Sequence, residues 1–310
     1  MTAPATTAPG RPFADELAAR VTERESQIVL GIDPDPMALW APASGDHHGS
    51  PAQRAAAMVL DHCRRLIDAA APACVAAKLQ LACFERFGAS GWQALQTTLD
   101  HAHEQGLLVI ADGKRGDISV SSSAYAQALL GSTQTPVGTV EGLGADALTV
   151  NPLMGADALA PFVEVACANR AGLFALVRTS NPGAADVEDL RLAGGETVWE
   201  ALARIVDELG AKAVGETGLS DIGAVLGATV PEHLARAREL MPRAVFLLPG
   251  VGAQGGSVDE LAPAFAPHRA GGLVTASRSI AGAYLKSGKA PELAAREEAE
   301  RLRAAAWALA

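Results

Sequence analysis

The chain has 310 residues, 49% of them hydrophobic, and a formal net charge of −10. A chain of this length and composition buries a large core, while its acidic balance excludes a non-specific nucleic-acid binder, which needs a basic footprint. No apolar run approaches the ~20 residues needed to span a bilayer, and an anionic small ligand would have to find its cations concentrated locally.

The opening stretch MTAPATTAPGRP (1–12) lacks the basic and apolar regions of a secretory signal. Its Pro, Ala and Thr predict a disordered lead-in, with residues 13–310 forming a single domain. Short apolar runs then alternate with Ala-, Leu-, Arg- and Glu-rich stretches. Strands are predicted at 26–33, 74–80, 107–114, 147–151, 172–180, 222–229, 244–250 and 271–278. Helical patterns lie between them at 51–70, 92–105, 197–210, 231–241 and 258–265, and a last one at 291–308 follows the eighth strand. Near-continuous apolar strands have both faces covered, as in a parallel sheet. Eight βα units predict a single-domain (β/α)8 TIM barrel of the α/β class, with a doubly wound open sheet as the alternative. Residues 41–50, 182–196 and 211–221 read as long loops or insertions. His47 and His48 in the first of these lack a third partner and read as solvated. Cys63, Cys74, Cys83 and Cys167 form no CxxC pair and read as reduced thiols of a cytoplasmic protein.

In such a barrel the active site lies at the C-terminal strand ends, and the unusual residues gather there. Asp33 ends the first strand, Lys78 and Gln80 the second, Asp112 and Lys114 the third, Asn151 the fourth, and Thr179 and Ser180 the fifth. Gly250, Gly252 and Gln254 follow the seventh, and Ser277 and Arg278 end the eighth. Each alone has a bland reading as a cap, a snorkelling lysine or a turn; their shared rim does not. Residues i and i+2 of a strand share a face, so Asp112 and Lys114 of VIADGKRGDIS (109–119) are expected on the inward side and Arg115 elsewhere. Lys78 and Asp117 would extend them into an alternating Lys–Asp–Lys–Asp array. A buried ion network adds little net stability, which favours a chemical role. LLPGVGAQGGS (247–257) leads into a predicted helix, and its glycines let backbone N–H groups approach an anion. Arg278 on the next strand adds a guanidinium fork suited to phosphate. In TSNPGA (179–184), Ser180 and Asn181 could hydrogen-bond a polar heterocycle, although the stretch alone reads equally as a capped turn.

These motifs together resemble the orotidine 5′-phosphate decarboxylase family. D-G-K-R-G-D-I (112–118) is similar to its Asp-x-Lys-x-x-Asp-Ile signature. K-L-Q (78–80), S-N-P-G-A (180–184), P-G-V-G-A-Q-G-G (249–256) and S-R-S-I (277–280) follow in family order. The chain length and T-S-N-P-G resemble the longer bacterial branch. The resemblance implies a homodimeric TIM barrel that releases CO2 from orotidine 5′-phosphate, giving uridine 5′-phosphate (UMP) without cofactor or metal. It implies Lys114 as proton donor to C6, Asp112 beside the substrate carboxylate, and Lys78 bridging the carboxylates and a ribose hydroxyl. Asp33 would bind ribose, Asp117 would reach the partner's site, and Ser180, with Asn181 beside it, would contact the pyrimidine. Gln254, Gly255 and Arg278 would hold phosphate, with the loop 250–256 as the moving part. Two positions depart from the pattern: Ser121 stands where a threonine often contacts ribose across the interface, and Ser277 where a glycine often precedes the arginine.

Three other readings compete. A metal-dependent sugar-phosphate decarboxylase or aldolase on the same barrel needs further carboxylates for Mg2+, and Lys78 speaks against it. A Schiff-base lysine enzyme is disfavoured by carboxylates that keep Lys114 charged. A non-catalytic nucleotide-phosphate binding protein would usually lack one of the charges present here.

Overall fold

A computed structural model of the chain describes residues 11–41, 48–229, 231–251 and 256–310. Residues 1–10 of the expected lead-in, His47, and the phosphate-loop positions Gly252, Gln254 and Gly255 lie outside the described residues. The strands are β1 (Ile28–Ile32), β2 (Ala76–Gln80), β3 (Leu108–Arg115), β4 (Ser132–Thr135), β5 (Gly138–Glu141), β6 (Ala147–Val150), β7 (Gly172–Arg178), β8 (Ser220–Leu226), β9 (Ala244–Pro249) and β10 (Gly272–Ala276). Eight of them close a parallel barrel in the order β1-β10-β9-β8-β7-β6-β3-β2. The (β/α)8 expectation holds and the open-sheet alternative falls.

Both faces of the barrel strands are covered, which is why they read as continuous apolar runs. One buried cluster lies between strands and outer helices, with Leu30, Leu79, Leu148 and Leu248 from the strands meeting Val59, Leu95, Phe162 and Leu302 from the helices. The other fills the barrel interior, with Val29, Ile110, Phe174, Val225, Leu247 and Leu273. Sequence-readable caps start two helices. Ser50 and Gln53 form a capping box ahead of Pro51–Ala70, and Thr197 and Glu200 form another ahead of Val198–Gly210.

Several elements differ from the sequence expectations. The predicted helix 258–265 is two short pieces, a 3-10 turn Val258–Glu260 and a helix Ala262–Phe265. Pro263, which has no N–H to continue the first turn, stands at the start of the second piece. The predicted strand 271–278 stops at Ala276, and Arg278 opens a one-turn helix, Arg278–Ala281. The segment after β3 holds a helix, Ser119–Leu130, and then the antiparallel β4–β5 hairpin. The hairpin's polar, exposed sequence gives no apolar run to find. Helix Ala156–Asn169 fills the next connection.

Helix Phe13–Arg24 precedes the barrel and belongs to no βα unit. It closes the end of the barrel remote from the C-terminal strand ends. Phe13 packs edge-on against Phe174 with ring centroids 5.9 Å apart. Asp221 of β8 accepts the Ala14 N–H at 2.8 Å, and Asp15 accepts the Glu216 and Thr217 N–H groups at 2.9 Å each. Burial pushes the Asp221 carboxyl up; the Ala14 N–H works against the rise and the Asp15 charge adds to it, leaving it at about 6. A raised carboxyl favours the protonated folded state, so its stabilising contribution is complete below the ordinary value of 3.8 and is lost as pH rises through about 6. Asp221→Asn, which cannot ionise, is therefore expected to exceed the parent in urea midpoint at neutral pH. The gap should narrow as pH falls from about 6 to about 4; a pH-independent gap would contradict the assignment.

Candidate active site

The C-terminal strand ends surround a cavity of about 520 Å3, within the ~300–1,000 Å3 typical of small-molecule sites. Asp33, Lys78, Gln80, Asp112, Lys114, Thr149, Ser180, Asn181 and Arg278 all line it. β2 and β3 pair in register, Lys78 opposite Ile110 and Gln80 opposite Asp112, which sets the Lys78 and Asp112 side chains beside each other at the barrel mouth.

Asp112 is the centre of this cluster and is 3% exposed. Its Oδ2 accepts from Lys78 Nζ and from Gln80 Nε2 at 3.2 Å. Its Oδ1 accepts from Lys114 Nζ at 2.6 Å and Thr149 Oγ1 at 2.9 Å. Lys78 Nζ also lies 3.8 Å from Asp33 Oδ1. Burial alone would raise the Asp112 carboxyl, but the two ammonium groups hold it down at about 2. Burial opposes the charge on Lys78 too; Asp112 and Asp33 outweigh it and raise the lysine above its ordinary value.

Strand alternation is not what brings Lys114 to Asp112. The register shifts between Ala111 and Arg115, and Lys114 has φ 46°, a left-handed conformation that costs a non-glycine residue roughly 1–3 kcal/mol. Thr149 supports this bulge from β6: its hydroxyl accepts the Lys114 backbone N–H at 2.9 Å while donating to Asp112. Sequence reasoning missed Thr149. The available signal was its place two residues before Asn151 in ALTVN. Asn151 itself caps a turn, accepting the Leu153 N–H at 3.0 Å, and does not line the cavity. Arg115 points away as expected, pairing with Glu85 and lying 5.4 Å from the Tyr125 ring centre.

Asp117 is not brought into the cluster within one chain; its carboxylate accepts the Ile118 N–H at 2.8 Å. The array expected from sequence, Lys78–Asp112–Lys114–Asp117, is therefore not assembled within one chain; the four charges that meet there are Asp33, Lys78, Asp112 and Lys114. Ser121 is exposed in the first turn of helix Ser119–Leu130. Exposed Ile118 and Val120 flank these residues, and exposed Leu153 and Met154 follow β6.

On the opposite wall, β7 ends at Arg178, and the next residues fold back onto it. Arg178, 5% exposed, makes a two-pronged pair with Asp189 at 2.9 Å on each side and donates to the Thr179 carbonyl at 2.7 Å. Glu188 accepts the Thr179 N–H at 2.8 Å. Ser180 and Asn181 are carried inside this closure. Neither Arg178 nor Glu188 was singled out in the sequence, because their separation of ten positions matches no local motif. At the remaining rim, Gly250 has φ 106° and its carbonyl accepts the Gly256 N–H at 3.2 Å, pinching the base of the glycine-rich loop. Arg278 is exposed and has no ion-pair partner among the described residues. Ser277 fits because β1 carries a glycine opposite: a Cβ built on Gly31 would lie 1.8 Å from Ser277 Oγ.

No group of three or more His, Cys, Asp or Glu side chains among the described residues is placed to hold a metal ion. Lys78 fills the space between the Asp112 and Asp33 carboxylates that a divalent cation would take.

The sequence profile of the orotidine 5′-phosphate decarboxylase / HUMPS family matches residues 26–293. The orotidine 5′-phosphate decarboxylase of Rhodopirellula baltica is 40% identical over 272 residues, 88% of this chain and 89% of that protein. The crystal structure of a putative orotidine 5′-phosphate decarboxylase from Streptomyces avermitilis superposes with a TM-score of 0.77 at 31% identity, covering 98% of this chain and 99% of that one. The longer UMP synthase of Leishmania donovani matches with a TM-score of 0.73 at 31% identity, over 96% of this chain and 57% of its own length.

The Arg178 clasp has a direct stability test. Arg178→Met is expected to destabilise the protein by about 2–3 kcal/mol in urea unfolding, because it leaves two carboxylates without their cation. Asp189→Asn, which keeps one acceptor and leaves Glu188 in place, should cost about 1 kcal/mol.

Proposed function

The chain belongs to the orotidine 5′-phosphate decarboxylase / HUMPS family and is an enzyme that converts orotidine 5′-phosphate to UMP and CO2 in pyrimidine biosynthesis, and we propose that Lys114 is its proton donor. The single observation that carries this role is the position of Lys114 Nζ, 2.6 Å from a buried carboxylate and lining the cavity.

Breaking the bond between C6 and the carboxylate releases neutral CO2 and leaves an electron pair on C6, in the ring plane, where the pyrimidine π system cannot take it up. A fixed ammonium aimed at that carbon stabilises the developing charge and then supplies the proton. Asp112 holds that ammonium in place. An ionised Asp112 beside the substrate carboxylate also repels it, and the repulsion ends when CO2 departs uncharged. Lys78 screens Asp112 from Asp33 and reaches the ribose with Asp33. Ser180 and Asn181 meet the pyrimidine, and Arg278, with Gln254 and Gly255 of the glycine-rich loop, holds the phosphate. Phosphate binding remote from C6 contributes to the barrier by organising these groups.

The working form in this reading is a homodimer, with Asp117 and Ser121 delivered to the partner's cavity. Exposed Ile118, Val120, Leu153 and Met154 supply apolar surface beside them. The four thiols, none joined in a disulfide, suit a reducing, cytoplasmic setting. No helix among the described residues is long and apolar enough to cross a membrane. The metal-dependent alternative is disfavoured by Lys78, whose ammonium would repel a cation where the Asp33 and Asp112 carboxylates converge.

Lys114→Ala is expected to lower kcat by at least about three orders of magnitude while UMP binding persists. Turnover followed by loss of orotidine 5′-phosphate absorbance, with calorimetry for UMP, checks both; near-normal turnover would overturn the role. Arg278→Ala should lower kcat/KM on the same substrate by about 10- to 100-fold, and an unchanged value would remove the phosphate assignment.

A further inference from the structure

Arg278 poses a placement problem. Its guanidinium has no ion-pair partner among the described residues, so its direction depends on the one-turn helix Arg278–Ala281 that carries it. That turn is held at two ends. At the near end, Ser277 sits against Gly31 of β1. At the far end, the indole of Trp40 donates from Nε1 to the Ala281 carbonyl at 2.9 Å. This carbonyl belongs to the last residue of the turn, where helical carbonyls lack partners of their own.

Trp40 is itself fixed. It lies in the connection after β1 and is 3% exposed. Its backbone N–H donates to His62 Nδ1 at 3.1 Å, and the two rings meet edge-on with centroids 5.2 Å apart. His62 stands on the long helix Pro51–Ala70. The Arg65 guanidinium lies 5.7 Å from the Trp40 ring centre and is tied to Glu292 at 2.9 Å. Burial, with the Arg65 charge adding to it and Asp61 opposing, keeps the His62 imidazole down at about 4. At neutral pH its Nδ1 is therefore available as an acceptor. Tryptophan with a buried N–H normally finds a partner; here the partner chosen is the backbone of the Arg278 turn.

We infer that Trp40 is a positioning residue for Arg278: its indole N–H, anchored through His62, fixes the Ala281 end of the turn so that the guanidinium faces the phosphate end of the cavity. The inference rests on the phosphate role of Arg278 proposed above. It also joins that arm to the connection that begins at Asp33, so that the ribose and phosphate contacts are set by one rigid unit.

Steady-state kinetics on orotidine 5′-phosphate and on orotidine, which lacks the phosphate, test it. Trp40→Phe keeps an aromatic ring and removes the donor. It is expected to lower kcat/KM for orotidine 5′-phosphate by about tenfold, chiefly through KM, and to change the orotidine value by less than about twofold. In an Arg278→Ala background the same substitution should have no further effect on the ratio between the two substrates. Equal losses on both substrates, or an additive effect in that background, would overturn the inference while leaving the Arg278 assignment intact. If Arg278→Ala does not itself distinguish the two substrates, the phosphate assignment falls, and this inference with it. Should Trp40→Phe not fold, His62→Leu, which removes the acceptor for the Trp40 N–H, is expected to reproduce its kinetic pattern. His62→Asn, which restores an acceptor at that position, should keep the parent ratio; a parent ratio in His62→Leu counts against the inference.

Discussion

The buried carboxylate of Asp112 is the constraint on which the site depends. It accepts from four donors, two ammonium groups, an amide and a hydroxyl, which arrive from β2, β3 itself and β6. A charge so deep in the barrel mouth is tolerated only with such partners. Each partner is thereby placed: Lys78 between two carboxylates, Lys114 over the cavity, and Thr149 beneath the bulge. The arrangement adds little to stability by itself, since desolvation offsets attraction. What it provides is a lysine whose position is fixed by the fold itself.

The rest of the molecule separates rigidity from chemistry. Helix Phe13–Arg24 closes one end of the barrel with apolar packing and the Asp15 and Asp221 contacts, so the interior is a filled core up to the last residues of the strands. At the other end the polar side chains turn inward around an open cavity. There the two walls are braced differently. The β2–β3 wall is held by the charge cluster and the β7 wall by the Arg178 clasp. The β10 rim relies on packing of Ser277 against Gly31 and on the Trp40 indole. A ligand that spans the cavity from Lys114 to Arg278 therefore touches groups held by three different kinds of contact.

The barrel was legible because parallel strands covered on both faces leave continuous apolar runs, and eight of these in βα order admit few arrangements. The charged strand ends were legible too, because Asp33, Lys78, Asp112, Lys114 and Arg278 interrupt such runs at equivalent places. The hairpin Ser132–Glu141 and helix Phe13–Arg24 left weaker marks. The first is exposed and polar, and the second falls outside the repeat that organised the reading. The helix predicted at 258–265 shows the opposite error: its apolar spacing is helical, but Pro263 divides it.

By itself, then, the sequence determined the fold class, the family motifs and the identity of the charged residues, because these follow from local periodicity and from residue type. Tertiary structure decided which of those charges meet. The bulge at Lys114, Thr149 behind it, the exclusion of Asp117 from the single-chain cluster, and the pairing of Arg178 with Asp189 all depend on strand register or chain reversal. So does the meeting of Trp40 with Ala281, 241 positions apart. This last contact is fixed only when the barrel closes, since closure alone brings its first and last strands side by side.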